Sequence, residues 1–149
     1  MASFLRDELK QKLISGKNVY GTCITVNTPN WPDIVSGAPL DFVFIDTEHI
    51  PIDRSELAKM CRGYQARGLT PIVRIPRPDP YRASQVIDDG AIGVIAPYLE
   101  NAEQIKELVG ATKYRPLKGE KLASILEGKL IPNPELQSYV DRYNHGNLC

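Results

Sequence analysis

Asp41-Phe42-Val43-Phe44-Ile45-Asp46-Thr47-Glu48-His49 holds an apolar run, Phe42 to Ile45, suited to a buried strand, and ends in ionisable side chains. In sheets and barrels of parallel strands, chemistry collects at the carboxyl ends of the strands. A second strand, Pro71-Ile72-Val73-Arg74-Ile75-Pro76, carries one arginine near its own carboxyl end. A proton-moving histidine beside an anion-gripping arginine points to an enzyme of small carboxylates.

Working outward, helix and strand alternate from the start. Residues 4–14 predict an amphipathic helix that begins Phe4-Leu5-Arg6 and stops at Gly16, followed by a first strand over residues 19–26. Residues 27–39, rich in Pro, Asn and Gly, read as a loop with a short helix near Trp31. Asp53 caps the next helix, and Glu56 three residues later completes a capping-box pattern. That helix runs to about Ala66 and breaks at Gly68. Asp79-Pro80 marks another helix start, because Pro fits the first helical position, and Gly90 ends that helix. Residues 91–96 form a fourth strand, apolar on both faces as a buried parallel strand should be. Asn101 caps a helix to about Ala111. Residues 113–134, rich in lysine, proline and glycine, read as an extended loop or insertion, and residues 134–144 as one more helix.

The fold class is therefore α/β, with four strand–helix units in one domain over residues 1–149. Right-handed crossovers leave two outcomes, a small open sheet or half of an eight-fold (β/α)8 TIM barrel. The long loop after the first strand and the mid-chain insertion favour the barrel.

Composition excludes more than it names. The charges cancel, 18 basic against 18 acidic, which gives no pull toward nucleic acid or anionic membrane. No apolar run approaches the roughly 20 residues of a membrane span, and the amino terminus shows no signal-peptide pattern. Cys23, Cys61 and Cys149 match no zinc spacing and read as reduced thiols in a cytoplasmic protein. No phosphate-binding glycine loop or dinucleotide fingerprint is present.

Each candidate site residue has a bland reading beside the chemical one. His49 can move protons at a strand mouth with Asp46 to orient it, or simply hydrogen-bond its loop. Arg74 can grip a carboxylate or 2-oxo acid with its planar fork, or form an ion pair with Asp46 or Glu48. Asp88 and Asp89 end a helix where their charge opposes the dipole, so one of them has a use or both are merely solvated. Tyr98 follows the fourth strand, where Pro97 marks the strand's exit. No strand carries a lysine, which argues against Schiff-base chemistry; if the reaction is carbon–carbon chemistry, a metal is then the expected enolate stabiliser. A hard divalent cation wants two carboxylates, and only Asp46 and Glu48 stand at a strand mouth.

Asp46-Thr47-Glu48-His49, Val73-Arg74-Ile75-Pro76, Asp88-Asp89-Gly90-Ala91 and Ala96-Pro97, in this order and spacing, resemble the HpcH/HpaI aldolase family. These are metal-dependent 4-hydroxy-2-oxo-acid (pyruvate) aldolases of a citrate-lyase-like superfamily. The similarity extends through Tyr114-Arg115-Pro116-Leu117-Lys118-Gly119 to Tyr143-Asn144. The Glu48-His49 pair favours the aldolases over the citrate-lyase-like branch. The resemblance implies that His49 is the acid/base, acting through a metal-bound water, and that Asp46 is its carboxylate partner. It implies that Arg74 binds the pyruvyl group and that Asp88 reaches a neighbouring subunit's site in a homo-oligomer, a hexamer or trimer of dimers. The implied reaction cleaves a 4-hydroxy-2-oxo acid to pyruvate, or a related 2-keto acid, plus an aldehyde, with Mg, Mn or Co as cofactor.

Two departures accompany the resemblance. Relatives run to roughly 250 residues, as a full barrel does, so the chain reads as the amino-terminal half, with the metal ligands expected beyond Cys149. The family's usual Arg-Gly after the mid-chain glycine is replaced by Glu120-Lys121. Activity is thus expected to require residues beyond 149. The alternatives are an inactive half barrel serving assembly or partner binding, and a small doubly wound domain holding an anionic metabolite through Arg74.

Overall fold

A computed structural model describes residues 2–149, with side chains from Asp7 onward. The side chains of Phe4, Leu5 and Arg6, on which the first helix was partly read, lie outside the described residues. The backbone forms α1 (Ala2–Ile14), and Leu9 is buried beneath it. Lys12 ties this helix to the entrance of the second strand through Asp41, at 2.5 Å.

Among the described residues four strands form one parallel sheet: β1 (Gly21–Ile24), β2 (Phe42–Asp46), β3 (Thr70–Arg74) and β4 (Gly93–Ile95). Their order in space is their order in sequence. A doubly wound sheet needs a reversal of strand order at its switch point, so the sequential order removes that alternative. It gives the topology of four successive units of a (β/α)8 barrel. Leu148 adds a single parallel bridge to Gly93 on the far side of β4.

Strand alternation sends one set of side chains to the helices and the other to the open face. Ile24, Val43, Ile45, Val73 and Val94 pack into a core with Val35 of the short α2 (Trp31–Ser36) and with Leu57, Met60, Cys61 and Tyr64 of α3 (Arg54–Ala66). Ala83, Val86 and Ile87 of α4 (Pro80–Asp88) and Leu108 of α5 (Ala102–Lys113) complete it. Burial pushes the Cys61 thiol up to about 12, which makes it an inert core residue. The opposite face is left partly open: Phe42, Phe44 and Ile72 are half-buried, and Ile95 and Cys23 are exposed.

Cap chemistry fixes where the helices start. The Asp79 carboxylate accepts from the N–H groups of Tyr81 and Arg82, and Asn101 accepts from Gln104. Asp53 accepts from the Glu56 N–H, but the reciprocal half of the expected capping box is missing. Glu56 instead accepts from the Asn27 amide at 2.5 Å, a donor supplied by the loop after β1. The strands are shorter than their apolar runs, because pairing sets their ends: β1 pairs only from Gly21 to Ile24.

The segment read as an extended loop contains α6 (Gly119–Leu126), ahead of α7 (Pro134–Tyr143). Leu122, Ile125 and Leu126 have the spacing of a helical apolar stripe, which the surrounding lysines and glycines obscured. Leu126 packs where α5 has Gly110, so close that a side chain there would meet it at 2.7 Å.

Gly90 separates α4 from β4 with a φ of 111°, a conformation that side-chain-bearing residues rarely adopt. A methyl group there would also lie 3.2 Å from the Cys61 Cβ. Gly90→Ala is expected to destabilise the fold by about 1–3 kcal/mol, read as a lower midpoint in urea unfolding. An unchanged midpoint would show that the turn relaxes.

Candidate active site

The site begins with register. Asp46, the last residue of β2, stands directly opposite Arg74, the last residue of β3. Both side chains emerge at the carboxyl ends of their strands. Beyond Asp46 the chain turns sharply: Asp46 Oδ1 accepts from the N–H of Glu48 at 2.9 Å and of His49 at 3.3 Å. Thr47 pins the same turn to β3, its N–H and hydroxyl both donating to the Arg74 carbonyl. The carboxylate that turns the chain therefore also meets the arginine across the sheet.

Arg74 donates from Nε to Asp46 Oδ1 at 3.0 Å and from Nη2 to Asp46 Oδ2 at 2.5 Å. Its guanidinium lies over the Phe44 ring, 5.4 Å from the centroid. The same Nη2 is 2.7 Å from His49 Nδ1. Nη1 makes no hydrogen bond to any described residue and remains available to an incoming anion. The bland reading of Arg74, an ion pair with Asp46, is thus real, and it leaves part of the fork unspent.

His49 Nδ1 faces two partners with opposite demands. Arginine only donates, so with Arg74 the nitrogen must accept and the proton sits on Nε2. With Asp46 Oδ2, 3.3 Å away, Nδ1 must carry a proton. Which of the two bonds forms is set by whether Nδ1 carries a proton. The imidazole is 61% exposed and its Nε2 is open to substrate or water.

The hydrogen bond from Arg74 holds the Asp46 carboxyl well below the usual carboxylate range; burial opposes this and the two turn N–H groups reinforce it. Since the folded pKa lies below the unfolded value near 3.9, this pairing stabilises fully above about pH 4 and is lost as pH falls further. Asp46→Asn is expected to cost about 2 kcal/mol at pH 7, with the gap from the parent closing below pH 3. Urea unfolding at both pH values measures it; a gap that persists in acid would count against the pairing.

Glu48 completes the cluster. Its Oε1 accepts from the Tyr98 hydroxyl at 2.8 Å. Its Oε2 lies 3.2 Å from Arg74 Nε, yet it is buried without a hydrogen bond. Asp46, Glu48 and His49 bring one donor atom each within 4.8 Å of one another, a grouping that could hold a metal ion. The Arg74 guanidinium already stands among these donors, and both Asp46 oxygens are spent on it and on the turn. With Arg74 ion-paired to both carboxylates, the three residues by themselves are already partly charge-compensated without a cation.

Three of the four residues singled out from the sequence thus converge: Asp46, His49 and Arg74. Asp88 does not join them, and no hydrogen bond or ion pair links it to the cluster. It receives the Arg115 guanidinium instead, beside a cavity of about 320 Å³ lined also by Arg54 and Lys118. From the sequence Glu48 is a cation ligand or an ion-pair partner of Arg74, and Tyr98 only a residue at a strand's exit. Both stand in the cluster, and the signal for Tyr98 was its place three residues beyond Ile95, at a third strand mouth.

Known proteins share this chain's sequence pattern and fold. The model of the HpcH/HpaI aldolase/citrate lyase family matches residues 21–129. A 2-dehydro-3,6-dideoxy-6-sulfogluconate aldolase of Pseudomonas putida is 31% identical over 105 residues, 70% of this chain and 41% of its own length. A hydroxypyruvate/pyruvate aldolase of Deinococcus radiodurans is 34% identical over 113 residues, 75% of this chain and 40% of its own. The crystal structure of an HpcH/HpaI aldolase from Desulfitobacterium hafniense superposes with a TM-score of 0.70 at 28% identity. That match covers 93% of this chain and 53% of the other. The chain spans about two-fifths of the length of the curated relatives it matches.

Proposed function

Because the chain belongs to the HpcH/HpaI aldolase/citrate lyase family, we propose that it supplies the amino-terminal half of a carbon–carbon lyase built as a single (β/α)8 barrel domain. The reaction is retro-aldol cleavage of a 4-hydroxy-2-oxo acid to pyruvate, or a related 2-keto acid, and an aldehyde. The observation that carries this reading is the Arg74–Asp46–His49 cluster at two adjacent strand mouths, with Nη1 of Arg74 unspent.

In the proposed reaction Arg74 receives the 2-oxo acid through the free side of its fork and stabilises the negative charge that develops as the enolate forms. Asp46 holds the guanidinium in place and accepts a hydrogen bond from His49 Nδ1–H, the tautomer that leaves the Nε2 lone pair free. Nε2 takes the proton of the substrate's 4-hydroxyl, directly or through one water, as the carbon–carbon bond breaks and its electron pair stays on the enolate. A divalent ion (Mg, Mn or Co) would act as a Lewis acid on the keto oxygen. The crowding of Arg74 among this chain's own donors supports placing that ion's main ligands on residues beyond 149.

The similarity to sulfogluconate and hydroxypyruvate/pyruvate aldolases supports a small 2-oxo acid as the partner molecule. Asp88, exposed on the helical layer, would reach a neighbouring copy in a homo-oligomer, a hexamer or trimer of dimers. The three free cysteines fit a reducing cytoplasm. No helix among the described residues is long and apolar enough to cross a membrane.

The test is methyl-proton exchange of pyruvate in heavy water by the native protein, with and without magnesium or manganese, alongside its intact mass. A mass well above 16.6 kDa with metal-dependent exchange supports the aldolase. The open sheet face of Phe42, Phe44 and Ile72 favours a second reading, a non-catalytic half barrel that binds a partner. A 16.6 kDa protein without exchange would establish that one instead.

A further inference from the structure

We propose that Tyr98 is a positioning residue of this site: its hydroxyl holds Glu48 to a single-oxygen ion pair at Arg74 Nε, so that Nη1 stays open to a carboxylate. The inference rests on the aldolase reading and adds to it a third strand's contribution. Tyr98 lies just beyond β4, as Arg74 ends β3 and Asp46 ends β2, so three successive strands each deliver one group.

Two independent observations carry it. Tyr98 is the only non-glycine residue with positive φ among the described residues, at 58°. A bulky side chain held there costs free energy, and burial does not offset it, since the residue is 67% exposed. Its second feature is the hydrogen bond to Glu48 Oε1. That bond raises the Tyr98 pKa, so the phenol remains a donor at neutral pH.

The consequence follows from counting oxygens. Glu48 has Oε1 on Tyr98 and Oε2 at 3.2 Å from Arg74 Nε without a hydrogen bond. Once the hydroxyl is removed, the carboxylate is free to turn and pair with the guanidinium in two-point fashion. That two-point pairing would draw on Nη1, the donor left to a substrate carboxylate. Tyr98 thereby sets how well Arg74 binds, with little part in the bond-breaking step.

The experiment uses the full polypeptide. Tyr98→Phe keeps the ring and deletes the hydroxyl. It is expected to raise the pyruvate dissociation constant, measured by calorimetry, about tenfold, the effect of losing one hydrogen bond of ordinary strength. The melting temperature should stay within a degree or so, and kcat should change far less than KM. In a Glu48→Gln background the same substitution should change pyruvate affinity little, because the two residues act as one unit. Tyr98→Gly, which relieves the backbone, should bind as weakly as Tyr98→Phe yet melt no lower than the parent.

Crystal structures of the parent and Tyr98→Phe supply a readout free of activity, with the Glu48 carboxylate expected to turn onto Arg74. An unmoved Glu48 with unchanged pyruvate affinity overturns the proposal, as do fully additive effects in the double variant. A parent that binds no pyruvate overturns the aldolase reading alone, and the Glu48 orientation then decides the role of Tyr98 by itself.

Discussion

Arg74→Ala in the full-length polypeptide is expected to lower kcat/KM for aldol cleavage by about 10³-fold, the scale of losing a fixed charge-stabilising donor in a catalytic site. Stability should fall with it. Asp46 and Glu48 are only 9% and 10% exposed at their side chains, so deleting the arginine leaves two carboxylates side by side with no cation between them. Breaking such a pair costs up to about 3–5 kcal/mol when fully buried, and less here because Arg74 is itself 25% exposed. Arg74→Lys separates the two effects. It keeps the charge that steadies the carboxylates but loses the planar fork. It should melt near the parent while turnover remains depressed. Wild-type-like cleavage in both variants would sink the proposed substrate site.

His49→Ala should show the opposite balance. The imidazole is 61% exposed, so its removal is expected to change stability by no more than about 0.5 kcal/mol. Turnover should nonetheless drop by about 10²–10⁴-fold, the range for deleting a positioned proton carrier. The two substitutions act on one cluster in which Nη2 of Arg74 touches Nδ1 of His49. The double variant is therefore expected to lose less than the product of the two single losses. Steady-state cleavage rates with folded, mass-verified proteins measure all three. Strict multiplicativity would mean that the two residues do not work together.

The unequal stability costs reflect how the cluster is built. Asp46 is a structural residue before it is a chemical one. It ends β2, turns the chain through the N–H groups of Glu48 and His49, and fixes the arginine on β3. His49 is delivered by that turn and supports nothing else. In the proposed reaction, folding and chemistry therefore draw on the same two residues, Asp46 and Arg74, and separate at His49.

Much of this was legible in the sequence because it depends on short-range chemistry. Asp53, Asp79 and Asn101 announce helix starts through side-chain oxygens two or three residues ahead of the N–H groups they satisfy. Runs such as Phe42 to Ile45 announce strands because a buried strand spends no polar side chain. Asp46, His49 and Arg74 stand out because ionisable groups directly after, or within, such runs need a reason to be there. The helix Gly119–Leu126 was not legible, because its apolar stripe makes sense only against Gly110 of α5, which leaves room for Leu126. The resemblance assigns Asp88 to a neighbouring subunit's site; within this chain it pairs with Arg115, a partner 27 residues away that no local pattern reveals.

The sequence by itself determined the alternation of strands and helices, the positions of the caps, and the identity of three of the residues that form the cluster. The tertiary structure alone decided that the strands lie in sequential order, which selects a barrel sector over a doubly wound sheet. It alone decided that Arg74 stands opposite Asp46 with His49 folded over both, and that Tyr98 reaches back fifty residues to Glu48. The physical reason is range. Caps and apolar runs act over a few residues of chain, whereas strand register brings together side chains whose separation in sequence carries no trace of their meeting.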